Sequence, residues 1–183
     1  PLCAERGWLL VAPRAGFLSS PTPELVDALA KIYPIDRSKV MLVGHSMGAA
    51  MSVAAAEKSP GRFAAVAALG GGGRIPPMPD AALKKLPFFI GVGTKDFALS
   101  GSRALRDSLQ RVGVERVSYK EYPEIEHLVI VQVALQDVFT FFQDSLRRGA
   151  HDGVATEETR RERSSDWVAA SGGSRRGTCD SVS

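Results

Sequence analysis

The sequence predicts an α/β fold with a mostly parallel sheet that has helices on both faces. Short apolar runs alternate with amphipathic stretches over residues 1–147, which we assign to one domain. The run at residues 40–43 is too short and too β-branched for a helix, and it suits a strand buried on both faces. A hydrophobic content of 44% in 183 residues is enough to form a substantial core.

The first predicted elements are a helix-to-strand step and a second helix. Residues 2–6 are typical of the last turn of a helix that ends at Gly7, and residues 8–12 of a short apolar strand. After a loop over residues 14–23, Thr22-Pro23-Glu24 combines a cap residue, a proline and an acid, as at the start of a helix. This helix ends before Pro34, and its apolar residues recur at helical spacing: Leu25, Val26, Leu29, Ile32 and Tyr33.

The motif Gly-x-Ser-x-Gly at residues 44–48 is the centre of the prediction. A strand over residues 39–43 precedes it, and an alanine-rich helix from about Met47 to Lys58 follows it. This context is typical of a nucleophile elbow, which lifts the serine hydroxyl, here that of Ser46, above the carboxyl edge of a sheet. We expect side chains at Gly44 and Gly48 to collide with the neighbouring strand and helix. The alternative is that Ser46 is an ordinary turn serine.

Three further strands are predicted over residues 63–69, 87–92 and 117–122, the last near the sheet edge because its apolar and polar residues alternate. Helices are predicted over residues 80–86, 102–112 and 129–148. The last helix presents an apolar face: Val131, Leu135, Val138, Phe142 and Leu146. The four glycines at 70–73 are not followed by the Lys-Ser or Lys-Thr of a phosphate loop, so we interpret them as a flexible strand-end loop.

Charge and composition exclude several function classes. A net charge of +3 from mixed acidic and basic residues offers no nucleic-acid-binding stripe. No run approaches the roughly 18 apolar residues that span a bilayer. Cys3 and Cys179 lie at opposite ends with no motif around them, so they indicate neither a metal site nor a disulfide framework and leave the compartment open. Residues 148–183 are rich in Ser, Gly, Arg and Glu, which predicts a disordered tail.

A serine nucleophile needs a base and a group that orients the base. The sequence has three histidines. His45 adjoins Ser46 and is interpreted as a packing or rim residue, and His151 lies in the predicted tail. His127 follows the last strand, which places it at the same sheet edge as Ser46. Asp96 follows the strand at residues 87–92 in a Gly-x-x-Asp turn. The competing carboxylates are assigned to the solvated surface: Glu121, Glu124 and Glu126.

On these residues the chain resembles the α/β-hydrolases, in particular single-domain serine esterases such as dienelactone hydrolase, feruloyl esterase and polyhydroxybutyrate depolymerase-like esterases. The matching segments are residues 44–48, 62–68 and 93–96, then Tyr122-Pro123 with His127 downstream, and the order serine, acid, histidine is that of the superfamily. The resemblance implies that Ser46 is the nucleophile and His127 the general base and acid. It also implies that Asp96 holds the imidazole and that the backbone N–H of Met47 is an oxyanion donor.

Two departures from the family pattern accompany the resemblance. Glu126 precedes the histidine where these families often have glycine. The strand before residues 8–12, whose following loop carries the second oxyanion donor in the family, has no counterpart here, so we expect an N-terminally truncated fold. The resemblance implies hydrolysis of a small-molecule ester through an acyl-enzyme, without a cofactor or metal. A serine peptidase, an acyltransferase and a non-catalytic binding protein of the same fold stay open.

Overall fold

The sheet consists of four parallel strands in the computed structural model, which describes residues 2–13 and 23–149. They are β1 (Met41–His45), β2 (Ala65–Leu69), β3 (Phe88–Gly93) and β4 (Val117–Tyr122), and they lie side by side in chain order. In the register, His45 is opposite Leu69, and Gly93 is opposite Tyr122. The carboxyl ends of all strands therefore meet at one edge, and the predicted parallel sheet is confirmed.

Helices follow the strands as the sequence predicts. In the described residues they are α1 (Pro23–Leu29), α2 (Met47–Lys58), α3 (Ala81–Lys85), α4 (Leu99–Arg111) and α5 (130–149). Short 3-10 turns lie at Ala4–Arg6, Arg37–Lys39 and Pro60–Arg62. Gly7 closes the first of these turns in the left-handed conformation, at φ 63°.

Each face of the sheet has its own core, which gives three layers. On one face α2, α3 and α4 pack against alternate residues of β2 and β3, including Val53, Val66, Leu83, Phe88, Ile90, Leu105 and Leu109. On the other face α5 packs against the intervening residues, and this cluster includes Ala65, Leu69, Phe89, Tyr122, Ile130, Ala134, Val138 and Phe142. Strands buried on both faces explain the nearly continuous apolar runs in the sequence.

The predicted strand over residues 8–12 is wrong, because these residues adopt no regular structure. A strand needs a neighbour to satisfy its backbone groups, and no ladder hydrogen bond joins this segment to another described residue. Its anchor is instead the side chain of Trp8, whose ring stacks on Phe139 of α5 at 5.4 Å between centroids. The apolar residues Leu9 and Leu10 are left exposed.

Other element boundaries differ from the prediction for local reasons. Helix α1 begins at Pro23 as predicted but ends at Leu29, and Ile32 beyond it is 73% exposed. Strand β1 starts two residues late because Asp36 caps a 3-10 turn that includes Lys39. Helix α4 starts early, at Leu99, because the Asp96 carboxylate accepts the N–H of Ala98 at its start.

The buried face of α5 is rotated from the predicted one. Val138 and Phe142 are buried as predicted, but Ile130 and Ala134 are fully buried, whereas Leu135 and Leu146 of the predicted face are only partly buried. The predicted loop at residues 14–22 and the predicted disordered tail lie outside the described residues, apart from the tail's first two residues, which continue α5. His151 and Cys179 fall in that tail, and the domain boundary at residue 147 stays a prediction.

Candidate active site

Ser46 lies at a sharp turn between β1 and α2. Its backbone has φ 56° and ψ −120°, a positive φ that L-residues rarely adopt. Its N–H donates to the carbonyl of Leu69 at 2.9 Å, which ties the turn to the end of β2. Strained backbone of this kind persists only where the surrounding structure over-determines it, and it concentrates at functional sites.

The two glycines that flank Ser46 are not equivalent. A Cβ atom on Gly44 would lie 2.0 Å from the carbonyl oxygen of Gly48, so β1 and α2 can meet here only through glycine. A Cβ on Gly48 would meet no described atom within 4 Å apart from its chain neighbours and the backbone of its own helix. The expected collision is therefore confirmed for Gly44 and wrong for Gly48. Gly48 takes part in the close contact only through its backbone carbonyl, which faces Gly44.

Hydrogen bonds connect three of the predicted site residues, with His127 bonded to both Ser46 and Asp96. His127 Nε2 lies 2.9 Å from Ser46 Oγ, and His127 Nδ1 lies 2.8 Å from Asp96 Oδ1. Since a carboxylate only accepts, Nδ1 carries the proton, and Nε2 is left to accept the serine O–H. The hydrogen bonds join the hydroxyl of Ser46, the imidazole of His127 and the carboxylate of Asp96, which follow the ends of β1, β4 and β3.

The Asp96 side chain is fully buried at the end of β3. Its Oδ1 accepts from the N–H of Ala98 at 2.7 Å as well as from His127. Its Oδ2 has no hydrogen-bond partner among the described residues and faces Gly70, where a Cβ would lie 2.8 Å away. A buried carboxylate is costly unless it is paired, so the contact with His127 stabilises both groups.

The other candidate carboxylates are bound elsewhere. Glu121 accepts from Arg103 and Tyr119, and the hydrogen bond from Arg103 contributes most to lowering the pKa of Glu121 to about 2. Burial, followed by the hydrogen bond to Glu121, raises the pKa of Tyr119 to about 12. Glu124 pairs with Lys95 at 2.5 Å, and Glu126 is exposed. The assignment to the solvated surface is confirmed for Glu124 and Glu126, whereas Glu121 is only partly exposed.

The ring of His127 contacts two other aromatic rings. His45 is 4.6 Å away and Phe97 is 4.1 Å away between centroids, each tilted by 39°. The packing interpretation of His45 is confirmed, but its Nε2 also lies 2.8 Å from the carbonyl oxygen of His127. Neither this bond nor the ring contact between Phe97 and His127 was predicted from the sequence. The available signals were an aromatic residue directly after Asp96 and a histidine directly before Ser46.

The glycine loop at residues 70–73 packs against the back of the Ser46 turn. A Cβ on Gly71 would lie 2.5 Å from the carbonyl oxygen of Ser46. The hydroxyl of Ser102, a buried residue of α4, donates to the carbonyl of Gly71 at 2.9 Å. The position at a strand end is confirmed, and these glycines allow close backbone approach.

Met47 is the first residue of α2. The first N–H groups of a helix have no carbonyl partner within it, so the N–H of Met47 is open to an acceptor placed beside Ser46. The apolar side chains of Met47, Phe97 and Leu128 are exposed around this position. They form an apolar rim next to Ser46 and His127.

Residues 2–13 and 23–149 contain neither a metal-binding cluster nor a membrane-spanning helix. No three His, Cys, Asp or Glu side chains there are grouped so that they could hold a metal ion. No helix in the same residues has the length and apolar character to span a bilayer.

Several solved structures resemble the chain. Arabidopsis thaliana SOBER1 aligns with a TM-score of 0.58 at 22% identity, over 67% of this chain and 60% of that one. A ferulic acid esterase aligns with a TM-score of 0.58 at 19% identity, over 67% and 58% of the two chains. S-formylglutathione hydrolase FrmB from Staphylococcus aureus aligns with a TM-score of 0.53 at 16% identity, over 65% and 57%. Identities this low establish the fold alone, and the predicted α/β-hydrolase fold is confirmed.

The chain spans about three fifths of the length of these structures. Among curated proteins, no sequence matches the chain significantly. By contrast, residues 19–146, more than half of the sequence, match the phospholipase/carboxylesterase family. The chain therefore belongs to the phospholipase/carboxylesterase family.

Proposed function

We propose that the chain is a serine hydrolase that cleaves carboxylic esters through Ser46, His127 and Asp96. The observation that carries the proposal is the hydrogen-bonded line from Ser46 Oγ to His127 Nε2 and from His127 Nδ1 to Asp96 Oδ1. Both distances lie in the range expected for a nucleophile, its base and the group that orients the base. Membership of the phospholipase/carboxylesterase family supports an ester as the substrate.

In the proposed reaction, Ser46 Oγ attacks the ester carbonyl while His127 Nε2 accepts the hydroxyl proton. Asp96 holds the imidazole in the required tautomer and stabilises the imidazolium that forms. The backbone N–H of Met47 donates to the oxyanion of the tetrahedral intermediate. His127 then returns the proton to the leaving alcohol, which completes the acyl-enzyme. Water that gives its proton to His127 releases the acid and restores Ser46.

The apolar rim of Met47, Phe97 and Leu128 supports a small-molecule ester with an apolar acyl or aryl group. Apolar side chains next to a reacting serine bind such groups by removing their surface from water. The same line of residues would also serve a serine peptidase or an acyltransferase. Neither has an observation of its own among the described residues, so we keep ester hydrolysis as the proposal.

Labelling with a fluorophosphonate probe, beside turnover of p-nitrophenyl acetate, tests the proposal. We expect Ser46→Ala and His127→Ala to abolish labelling. Asp96→Asn should lower turnover by about 10⁴-fold, because the imidazole then takes the wrong tautomer. Ser100→Ala, on an exposed position of α4, is the matched control and should label fully. Failure of the folded wild-type chain to label would overturn the proposal.

An amide analogue and an added alcohol acceptor extend the same assay to the competing reactions. Hydrolysis of the ester without cleavage of the matching anilide supports an esterase. Preferential transfer of the acyl group to the alcohol, in place of release of the acid, would overturn hydrolysis in favour of acyl transfer.

A further inference from the structure

His45 makes a hydrogen bond that the proposed reaction does not use. Its Nε2 lies 2.8 Å from the carbonyl oxygen of His127. A carbonyl oxygen can only accept, so Nε2 of His45 carries a proton and donates it. His45 is partly buried, and its ring also contacts that of His127 at 4.6 Å between centroids.

The hydrogen bond from His45 is made to a residue that lies outside helix α5. His127 lies three residues before the helix begins at Ile130. The N–H of Val129 bonds to Glu126, and the N–H groups of Gln132 and Val133 bond to Val129, so the His127 carbonyl lies outside this pattern. The donor from His45 therefore connects the loop that carries the imidazole to the end of β1.

His45 also directly precedes Ser46 in the chain. Because Ser46 is held in an unusual backbone conformation between β1 and α2, His45 is anchored by the same turn. A movement of that turn would displace Ser46 and the donor to His127 together. His45 therefore links the turn that holds Ser46 to the loop that carries His127, and this link limits changes in the distance between the serine hydroxyl and the imidazole.

We propose that His45 is a positioning residue for His127, which keeps the imidazole within reach of Ser46 by donating to the His127 backbone carbonyl. The proposal rests on the proposed function of the same site. A displacement of about 1 Å can lower a rate by about 10²-fold when the reacting groups must be aligned. The loss should appear in the chemical step and not in substrate binding.

Two substitutions separate the hydrogen bond from ring packing. His45→Phe keeps an aromatic ring against His127 and removes the donor. His45→Gln removes the ring and keeps an N–H donor the same number of bonds from the backbone. We expect His45→Phe to lower kcat and the rate of fluorophosphonate labelling by about tenfold or more, with KM within about twofold of wild type. We expect His45→Gln to stay within about threefold of wild type in all three quantities.

Equal rates for His45→Phe and wild type would overturn the proposal. So would an equal loss in both variants accompanied by a lowered Tm, since that result would assign His45 to packing. A rise in KM with unchanged kcat would place His45 in substrate binding, which also contradicts a positioning role.

A measurement that needs no turnover keeps the two proposals separate. The proton on His127 Nδ1, bonded to Asp96, should give a downfield proton NMR signal that Asp96→Asn removes and thereby assigns. We expect His45→Phe to shift or broaden this signal and His45→Gln to preserve it. If the wild-type protein does not label, ester hydrolysis fails and the NMR result alone decides the role of His45. An unchanged signal in His45→Phe overturns that role whatever the activity.

Discussion

The backbone of Gly93 packs directly against the carbonyl group of Ile125. A Cβ atom added to Gly93 would lie 1.9 Å from that oxygen, which also accepts the N–H of Lys95 at 3.1 Å. Gly93 ends β3, three residues before Asp96, and Ile125 lies two residues before His127. The contact therefore sets how closely the loop that carries His127 approaches the end of β3, the strand that leads to Asp96.

Replacing Gly93 by alanine should force this loop away from β3. We expect Gly93→Ala to lower the free energy of unfolding by about 1–3 kcal/mol, because a methyl group is inserted into packed backbone. We also expect turnover to fall by at least about tenfold, because His127 moves with the loop. Urea unfolding and p-nitrophenyl acetate turnover measure the two effects. Gly61→Ala is the control, since its Cβ meets no described atom within 4 Å, and similar effects for both variants would contradict the prediction.

The two glycines beside Ser46 should respond in opposite ways. Gly44→Ala places a Cβ 2.0 Å from the Gly48 carbonyl oxygen, so we expect the variant to lose about 1–3 kcal/mol of unfolding free energy, as for Gly93→Ala. Gly48→Ala lies in the first turn of α2 with open space around it and should be neutral or slightly stabilising. Thermal unfolding of both variants tests this asymmetry. A tolerated Gly44→Ala beside a destabilising Gly48→Ala would show that the turn is packed differently.

Ser102 should stabilise the glycine loop behind Ser46. Its fully buried hydroxyl donates to Gly71, and removal of the donor leaves a carbonyl unsatisfied. We expect Ser102→Ala to cost about 1–3 kcal/mol of unfolding free energy in urea titrations. Ser108→Ala removes a bond to Leu105 within the same helix and should cost less, because that serine is only partly buried. An equal cost at both positions would mean that the loop contact adds nothing.

Asp137 should make the free energy of unfolding depend on pH in the acidic range. The hydrogen bond from Lys120 and then that from Tyr122 lower the pKa of Asp137 below its usual value. A lowered pKa means that the stabilisation is present above the unfolded pKa of about 3.9 and is lost as pH falls through the folded pKa. Because Asp137 is partly exposed, we expect Asp137→Asn to cost only about 1 kcal/mol at pH 7.

The cost of Asp137→Asn should fall as pH drops below about 3.9 and be smallest once pH lies below the lowered pKa of folded Asp137, where the carboxyl group is neutral in both the folded and the unfolded protein. Urea unfolding of wild type and variant across this range measures the difference. A difference between wild type and Asp137→Asn that stays constant from pH 7 to pH 3 would contradict the prediction.

Phe97 should affect activity more than stability. It is 79% exposed, yet its ring lies 4.1 Å from that of His127. We expect Phe97→Ala to change unfolding free energy by about 0.5 kcal/mol or less, as exposed substitutions do. Turnover of an apolar ester should fall several-fold, because the imidazole loses its ring contact with Phe97 and the apolar rim loses one side chain. Phe97→Tyr keeps the ring and should retain most of the activity; equal activity of all three proteins would show that the ring contact is incidental.

Much of the fold and the candidate site could be predicted from local patterns. Apolar runs and turn residues located β1 to β4, and the parallel arrangement follows from their alternation with helices. The carboxyl ends of parallel strands share one edge, so Ser46, Asp96 and His127 could be expected to meet from their positions after β1, β3 and β4. No side-chain contact was needed for that prediction.

By itself, therefore, the sequence determined the element order, the parallel sheet and the three residues at its carboxyl edge, because periodicity and motif spacing are local properties. Only the tertiary structure decided that residues 8–12 pair with no described strand, that Gly44 and not Gly48 is sterically required, and that His45 bonds to the His127 backbone. Each of these depends on which distant backbone lies opposite a residue. Composition and periodicity carry no information about that neighbour, since it is set by how the strands, helices and loops pack together.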